Sequence, residues 1–376
     1  MTKKFFYSTA ILTFCVVAAY GQSQSAADEL PAGWWQIPKT TTQIKAGGYV
    51  KFDFIHDFNP IGSPDFFDVS KIPTDGSEGA SSHLNAKETR LFVDVKSTIK
   101  NTSIRTYVEG DFYGSGSAFR LRMAFLEIGK HWLVGQTWSN FMDESIIPAT
   151  LDFEKPGAYA FARNPMVRYK MELSKSSYLA FALEQPVEND QKPVESGAFY
   201  SPFPDLNARF RVSEKWGHIQ LSAFLAHLTY EYTAGGNDKE TFYGGNLSGR
   251  LNVAKADYLF FQGLYGPGIG RYRGGMSSGL DADGNLEAIV DKGFTLGYEH
   301  RWCNAFTSLV VYNHGINENT EGQPSNSLYQ TNYGANLGHF VPRRAHRGRT
   351  AEVLEFGPWS VPWVDLPSVH RSASPS

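Results

Sequence analysis

Residues 88–113 read ETRLFVDVKSTIKNTSIRTYVEGDFY. In the first half, Leu91, Val93 and Val95 alternate with Arg90, Asp94 and Lys96. In the second half, Ile104, Val108 and Phe112 alternate with Arg105, Glu109 and Asp111. Lys100-Asn101-Thr102 separates the halves as a tight turn. Period-two alternation puts successive side chains on opposite faces of a strand, so the stretch reads as a hairpin with one apolar and one charged face.

The same pattern recurs in both directions. Val50, Phe52 and Phe54 alternate with Lys51 and Asp53 in 48–57. Phe119, Leu121, Met123 and Phe125 share the apolar face of 119–128, opposite Arg120 and Arg122. Val167, Tyr169, Met171 and Leu173 oppose Arg168, Lys170 and Glu172; Leu206, Phe210 and Val212 oppose Arg209 and Arg211. Further segments begin near residues 131, 177, 217, 242, 256, 291, 304 and 329, giving about fourteen strands between Gly48 and Leu337. Their connections alternate: long stretches such as 58–87, 140–164, 186–205 and 266–290 take turns with tight ones such as Gly129-Lys130 and Lys175-Ser176. Placing the long loops at one end and short turns at the other is the habit of outer-membrane barrels. A strand of about ten residues also suits a tilted span of hydrocarbon.

Composition agrees. The chain has 376 residues, 14% of them aromatic, with 36 Gly. Its 35 basic and 38 acidic residues give a net charge of −3, without the positive footprint of a nucleic-acid binder. Mean hydropathy of −0.33 argues against membrane helices, which need runs of about 20 apolar residues. Lys3 and Lys4 precede an apolar run from Phe5 to Ala19, and Ala19-Tyr20-Gly21 places small residues ahead of Gln22. That is the form of a secretory signal over 1–21. Its removal leaves Cys303 as the one cysteine, so no intrachain disulfide is expected. Residues 22–47 read as a short polar periplasmic lead.

In a membrane barrel the apolar face meets lipid and the polar face lines the lumen. Aromatics near strand ends, including Trp132, Trp138, Tyr258, Tyr265, Tyr298 and Trp302, suit interfacial girdles. The polar face carries Arg90, Arg105, Arg120, Arg122, Arg168, Arg209, Arg211, Arg250 and Arg301, with Lys51, Lys96 and Lys170. Guanidinium forks match carboxylates, and fixed cations in a narrow pore lower the barrier to anions. The same cations could equally brace the wall against Asp53, Asp94, Glu109, Asp111 and Glu172, and both readings stand open here.

Enzymatic patterns are weak. Gly275-Met-Ser-Ser-Gly279 has the spacing of a nucleophile elbow but no strand-to-helix context. Asp281, Asp283, Asn285 and Glu287 alternate like calcium ligands, yet Leu286 stands where an EF-hand loop needs Gly. The ten histidines show no ligand spacing, so no enzyme activity, metal or cofactor is expected.

Several strings resemble the DcaP-like trimeric outer-membrane porin family: Gly47–Lys51, Glu88–Leu91, Val108–Gly114, Arg120–Arg122, Gly135–Asp143, Pro148–Phe153 and Glu184–Pro186. The string GQTWSNFMD at 135–143 is the most specific. The resemblance runs from about residue 46 to 337. It implies an all-β transmembrane antiparallel barrel of sixteen strands, a homotrimer, and passive uptake of small anions such as dicarboxylates. It further implies that the loop 140–164 folds inward and narrows the pore, with Asp143, Asp152 and Arg163 as its charged residues.

After Leu337 the alternation stops. Residues 338–376 hold five Arg, five Pro and three His, and proline is excluded from central strands. The expectation is a barrel over 48–337 followed by an aberrant tail over 338–376, from a shifted reading frame or, as the alternative, a genuine domain-like extension, two strands short of the family's sixteen. The expected function is an outer-membrane porin for small anionic solutes, in contact with lipid and not with nucleic acid. A non-conducting barrel acting as adhesin or structural protein through its long loops is the alternative.

Overall fold

The structure is a computed structural model that describes residues 30, 33–58, 79–148, 158–185, 190–254, 256–303, 306–318, 320–322 and 332–339. Fourteen strands form the meander of one antiparallel sheet, to which the short Trp35–Gln36 and Gly197–Tyr200 also pair. They are β1 (Gln43–Tyr49), β2 (Arg90–Ile99), β3 (Thr102–Asp111), β4 (Arg120–Ile128) and β5 (Trp132–Trp138). β6 (Arg163–Glu172), β7 (Ser177–Glu184), β8 (Asp205–Glu214), β9 (Gly217–Tyr232) and β10 (Asn237–Asn252) follow. β11 (Tyr258–Pro267), β12 (Val290–Cys303), β13 (Phe306–Glu318) and β14 (Asn332–His339) complete it. Each strand pairs with its neighbour in sequence, an up-and-down meander. Among the described residues the sheet is open between β1, whose outer edge meets only Trp35–Gln36, and β14.

The sheet is apolar outside and polar inside. Leu91, Val134, Phe181, Leu221, Leu247 and Leu296 are exposed on its outer surface, whereas Asp94, Asn207, Ser222, Ser248, Gln262 and Thr295 are buried on its inner one. Water would reject such an outer face; hydrocarbon stabilises it by roughly 25 cal/mol per Å² of apolar surface kept from water. No described helix is long and apolar enough to cross a membrane.

Three local readings change. The first long strand of the sheet is Gln43–Tyr49, which begins inside the segment read as a lead, and 48–57 is not one strand. The ladder breaks at Val50–Phe52, where the Thr89 hydroxyl meets the Lys51 backbone N–H at 3.3 Å. Asp53–Asp57 then pairs with Ser81–Asn85 as a separate two-stranded sheet. The second change is in β4. Glu109 pairs with Met123 but Gly110 pairs with Leu121, so Arg122 is an extra residue on β4. A bulge of this kind shifts the phase of alternation. Leu121 stays outside, but Met123 and Phe125 turn inward rather than toward lipid: Phe125 stacks on Tyr107 at 5.4 Å and packs against Leu133, Met166 and Ala182. The third concerns the girdle. Trp132, Tyr265, Tyr298 and Trp302 are exposed outside, but Trp138 and Tyr258 pack against the interior cluster.

Residues 340–376, most of the expected aberrant tail, lie outside the described residues; Gly338 and His339 end β14.

Leu221 faces outward near the middle of its span. Leu221→Arg should cost about 2–4 kcal/mol in urea unfolding from lipid vesicles, the toll of a cation at the bilayer midplane. A cost within about 0.5 kcal/mol, ordinary for a water-exposed position, would show that this face does not meet lipid.

Candidate functional site

The interior is built around two segments that enter it. The first follows β5 and begins in the string 135–143. Gly135 adopts φ +125°, and a Cβ there would sit 2.2 Å from the Ala124 carbonyl oxygen, so only glycine lets β4 and β5 close at this point. Beyond Trp138 the chain turns inward. The buried Glu184 carboxylate accepts hydrogen bonds from Ser139 Oγ (2.7 Å), the Asn140 backbone N–H (2.5 Å) and Asn164 Nδ2 (3.0 Å). Phe141, Met142 and Ile146 then join Phe224, Leu228, Phe242, Phe260, Leu309 and Val311 of the wall in one apolar cluster.

Asp143 fastens this loop to β8, β9 and β10. It accepts from Arg211 Nη1 at 3.0 Å, from His218 Nε2 at 2.6 Å and from Ser248 Oγ at 3.3 Å. It also caps the short helical turn Glu144–Ile146 through the Ser145 N–H. Burial alone would raise its carboxyl, but the His218 hydrogen bond and the Arg211 charge outweigh that and hold it down from 3.8 to about 2.

The second segment was missed in the sequence. Residues 268–289 also turn inward, placing Ile269, Tyr272, Leu280 and Leu286 in the same cluster. Arg271 Nη1 and the Tyr272 hydroxyl bond the two oxygens of Asp205, at 3.2 and 2.8 Å, and Arg273 meets Asp291 at 2.9 Å. The two segments touch where the Phe161 N–H donates to the Tyr272 carbonyl. The available signal was the run of apolar and aromatic residues inside a loop, for which an extracellular connection has no use. The Asp281 stretch within it is a turn, its carboxylate accepting from the Asp283 and Asn285 N–H groups.

These insertions fill the interior beside β8–β13. The charged side chains line the inner face from β2 to β8. Arg105 grips Asp94 with two bonds (2.9 and 3.1 Å) and reaches Glu127 at 3.3 Å. Arg120 grips Asp111 likewise at 3.0 and 2.8 Å. Arg122 spans Glu109 (3.0 Å) and Asp111 (2.8 Å) and is buried. Arg90 lies 3.7 Å from Glu109 and stacks on Tyr49; Lys51 joins Glu88 at 2.6 Å and Asp53 at 3.2 Å. Arg209 is buried, reaching the Met142 carbonyl at 3.5 Å and lying over the Tyr178 ring at 5.9 Å, and Arg211 belongs to the Asp143 anchor. Arg168 has no hydrogen bond or ion pair among the described residues, and Arg209, Glu144 and Glu184 are among its charged neighbours. Arg163 is not a loop residue: it opens β6 and stacks on Trp138 at 5.0 Å. Asp152 lies outside the described residues.

The sequence model of the DcaP outer membrane protein family matches residues 27–317. The chain belongs to that family. Its fold matches the crystal structure of the outer membrane channel DcaP of Acinetobacter baumannii at TM-score 0.68 and 23% identity, over 78% of this chain and 85% of that one. Weaker likenesses are to a loop-deletion form of OmpT from Vibrio cholerae (12% identity, TM-score 0.44, 80% of this chain and 99% of that) and to an anion-selective porin from Comamonas acidovorans (11%, 0.40, 80% and 99%). No curated protein matches. The chain is thus an outer-membrane porin of the DcaP family.

Removing one partner of a buried charge pair costs about 3–5 kcal/mol, so Asp143→Asn should free the inward loop. Limited proteolysis within 139–148 should become much faster. In the native chain the anchor holds above the ordinary carboxyl value near 3.8 and is lost as pH falls through about 2. Cleavage should therefore accelerate in the native protein only across that acid window, and Asp143→Asn should remove the pH dependence.

Proposed function

We propose that this porin passes small anionic solutes, dicarboxylates among them, by diffusion as a homotrimer, without performing chemistry on them. One observation carries the reading: Arg105 and Arg120 are more exposed than the acids Asp94 and Asp111 that they grip, whereas Arg122 lies buried between Glu109 and Asp111. The Arg105 side chain is 34% exposed and that of Asp94 9%; Arg120 is 32% exposed and Asp111 is sealed. The carboxylates orient the guanidinium groups from behind, while the guanidinium edges face the lumen. Bracing and anion attraction are then served by the same pairs.

An approaching anion meets the cation first, and the acid behind it acts from farther away. In a confined pore of reduced dielectric that difference in distance counts for more than in bulk water. Arg168, on the strand after the inward loop, adds a cation with no ion pair among the described residues. The trimer and the dicarboxylate preference rest on the resemblance carried by the strings quoted above.

Selectivity is read from the reversal potential in planar bilayers under a tenfold KCl gradient, for which an ideal monovalent filter gives about 59 mV. Because the described sheet is open between β1 and β14, the recording uses a chain whose residues 340–376 are replaced by two closing barrel strands. The pore should be anion-selective, and Arg120→Ala with Arg122→Ala and Arg168→Ala should move the potential about 20 mV or more toward the cation limit. A cation-selective parent, or no movement in the triple variant, would leave the arginines as braces alone.

A further inference from the structure

A second group of cations gathers about the turns that follow β8 and β10. Residues 215–216 join β8 to β9, and residues 253–254 and 256–257 flank the connection of β10 to β11, at the short-turn end, which in such barrels is periplasmic. Just inside it is a cavity of about 420 Å³ whose lining includes Lys215, Arg250, Asn252, Tyr258, Glu299 and Arg301. A cavity of that size suits a small-molecule ligand.

The charges around it are unevenly committed. Glu299 accepts the Tyr258 hydroxyl. Asp257, also in the lining, accepts from the Tyr298 hydroxyl and from His300 Nδ1, each at 2.8 Å, and from the Arg301 N–H at 3.3 Å. His218, opposite Arg250 across the β9–β10 ladder, is taken by Asp143. Glu299 is thus engaged by a hydroxyl, and Asp257 by a hydroxyl, an imidazole and a backbone N–H. Among the described residues no hydrogen bond or ion pair engages the side chains of Lys215, Arg250 or Arg301. Arg250 is nonetheless held in place, its guanidinium carbon 3.6 Å above the centre of the Tyr258 ring. The Lys215 turn is pinned by Asn252, whose Nδ2 donates to the Lys215 carbonyl at 3.1 Å and whose N–H donates to the Trp216 carbonyl at 2.7 Å.

We propose that Lys215, Arg250 and Arg301 form a docking site for small dianions, a dicarboxylate or inorganic phosphate, at the periplasmic mouth of the barrel. Stacking fixes the plane of the Arg250 fork and leaves its N–H edges for two acceptor oxygens. Arg301, two residues beyond Glu299 on β12, faces the same cavity, and Lys215 closes it from the turn. Glu299 and Asp257 offset two of the three charges, so the preference for a dianion rests on its additional acceptor oxygens, which two guanidinium forks and an ammonium can share.

Binding at equilibrium tests this without requiring conduction. The full chain, folded in detergent micelles, is titrated calorimetrically with succinate, inorganic phosphate and acetate at low ionic strength. Succinate or phosphate should saturate one site, and acetate should bind at least tenfold more weakly. The tighter of the two dianions names the ligand's headgroup. Arg301→Gln should raise Kd at least tenfold, and Arg250→Lys, which keeps the charge over Tyr258, should raise it less than Arg250→Gln. Lys215→Gln, in an exposed turn, should raise Kd about threefold and serves where an Arg301 variant fails to fold. No saturable binding, acetate binding as tightly as the dianions, or affinity that ignores Lys215→Gln and Arg301→Gln would each overturn the site. Affinity that falls instead with Arg168→Gln would also overturn it, placing the anion on the β2–β8 wall and leaving the permeation reading intact.

Discussion

Hydrocarbon cannot hydrogen-bond, and each backbone N–H or C=O left unpaired in it costs several kcal/mol. Everything else here follows from that constraint. It demands strands that pair continuously, and the fourteen do so in sequence order with short turns at one end. With the backbone committed, only the side chains remain to carry information. Their period of two gives one set to lipid and the other to the lumen, so a chain with a net charge of −3 can still gather cations along one wall.

A sheet alone leaves its polar face unfilled. The string at 135–143 leads the chain into that space, and six of its residues have a part. Gly135 lets β4 and β5 close, Ser139 and Asn140 bond Glu184, Phe141 and Met142 enter the apolar cluster, and Asp143 anchors on Arg211 and His218. The segment 268–289 is held beside the inward loop through Asp205 and meets it where Phe161 bonds Tyr272. The polar bonds set where each segment lies, and the shared cluster supplies the burial.

Much of this was legible in one strand at a time. Residues 88–113 showed two strands and a turn, and parity alone placed Arg105 inside and Leu91 outside. What depends on two strands at once was hidden. Which acid an arginine grips is a matter of cross-strand register, as with Arg105 and Asp94 or Arg120 and Asp111. The orientation of Phe125 was misread because its cause lies on the neighbouring strand, where Glu109 and Asp111 hold Arg122. Gln43–Tyr49 carries two adjacent glycines, too little alternation to announce a strand. The inward course of 268–289 rests on Asp205, some sixty residues earlier in the chain.

Arg122 is surplus to the ladder. A one-residue slip elsewhere in a strand would turn every later side chain to the wrong face. Here the slip is already absorbed: without Arg122, Leu121 would still face lipid and Met123 the lumen, in plain alternation. The guanidinium that bridges two carboxylates of the wall is therefore carried by the residue the sheet needs least. Charge at this point is an addition to the architecture, and could be gained or lost in evolution without rebuilding the strand.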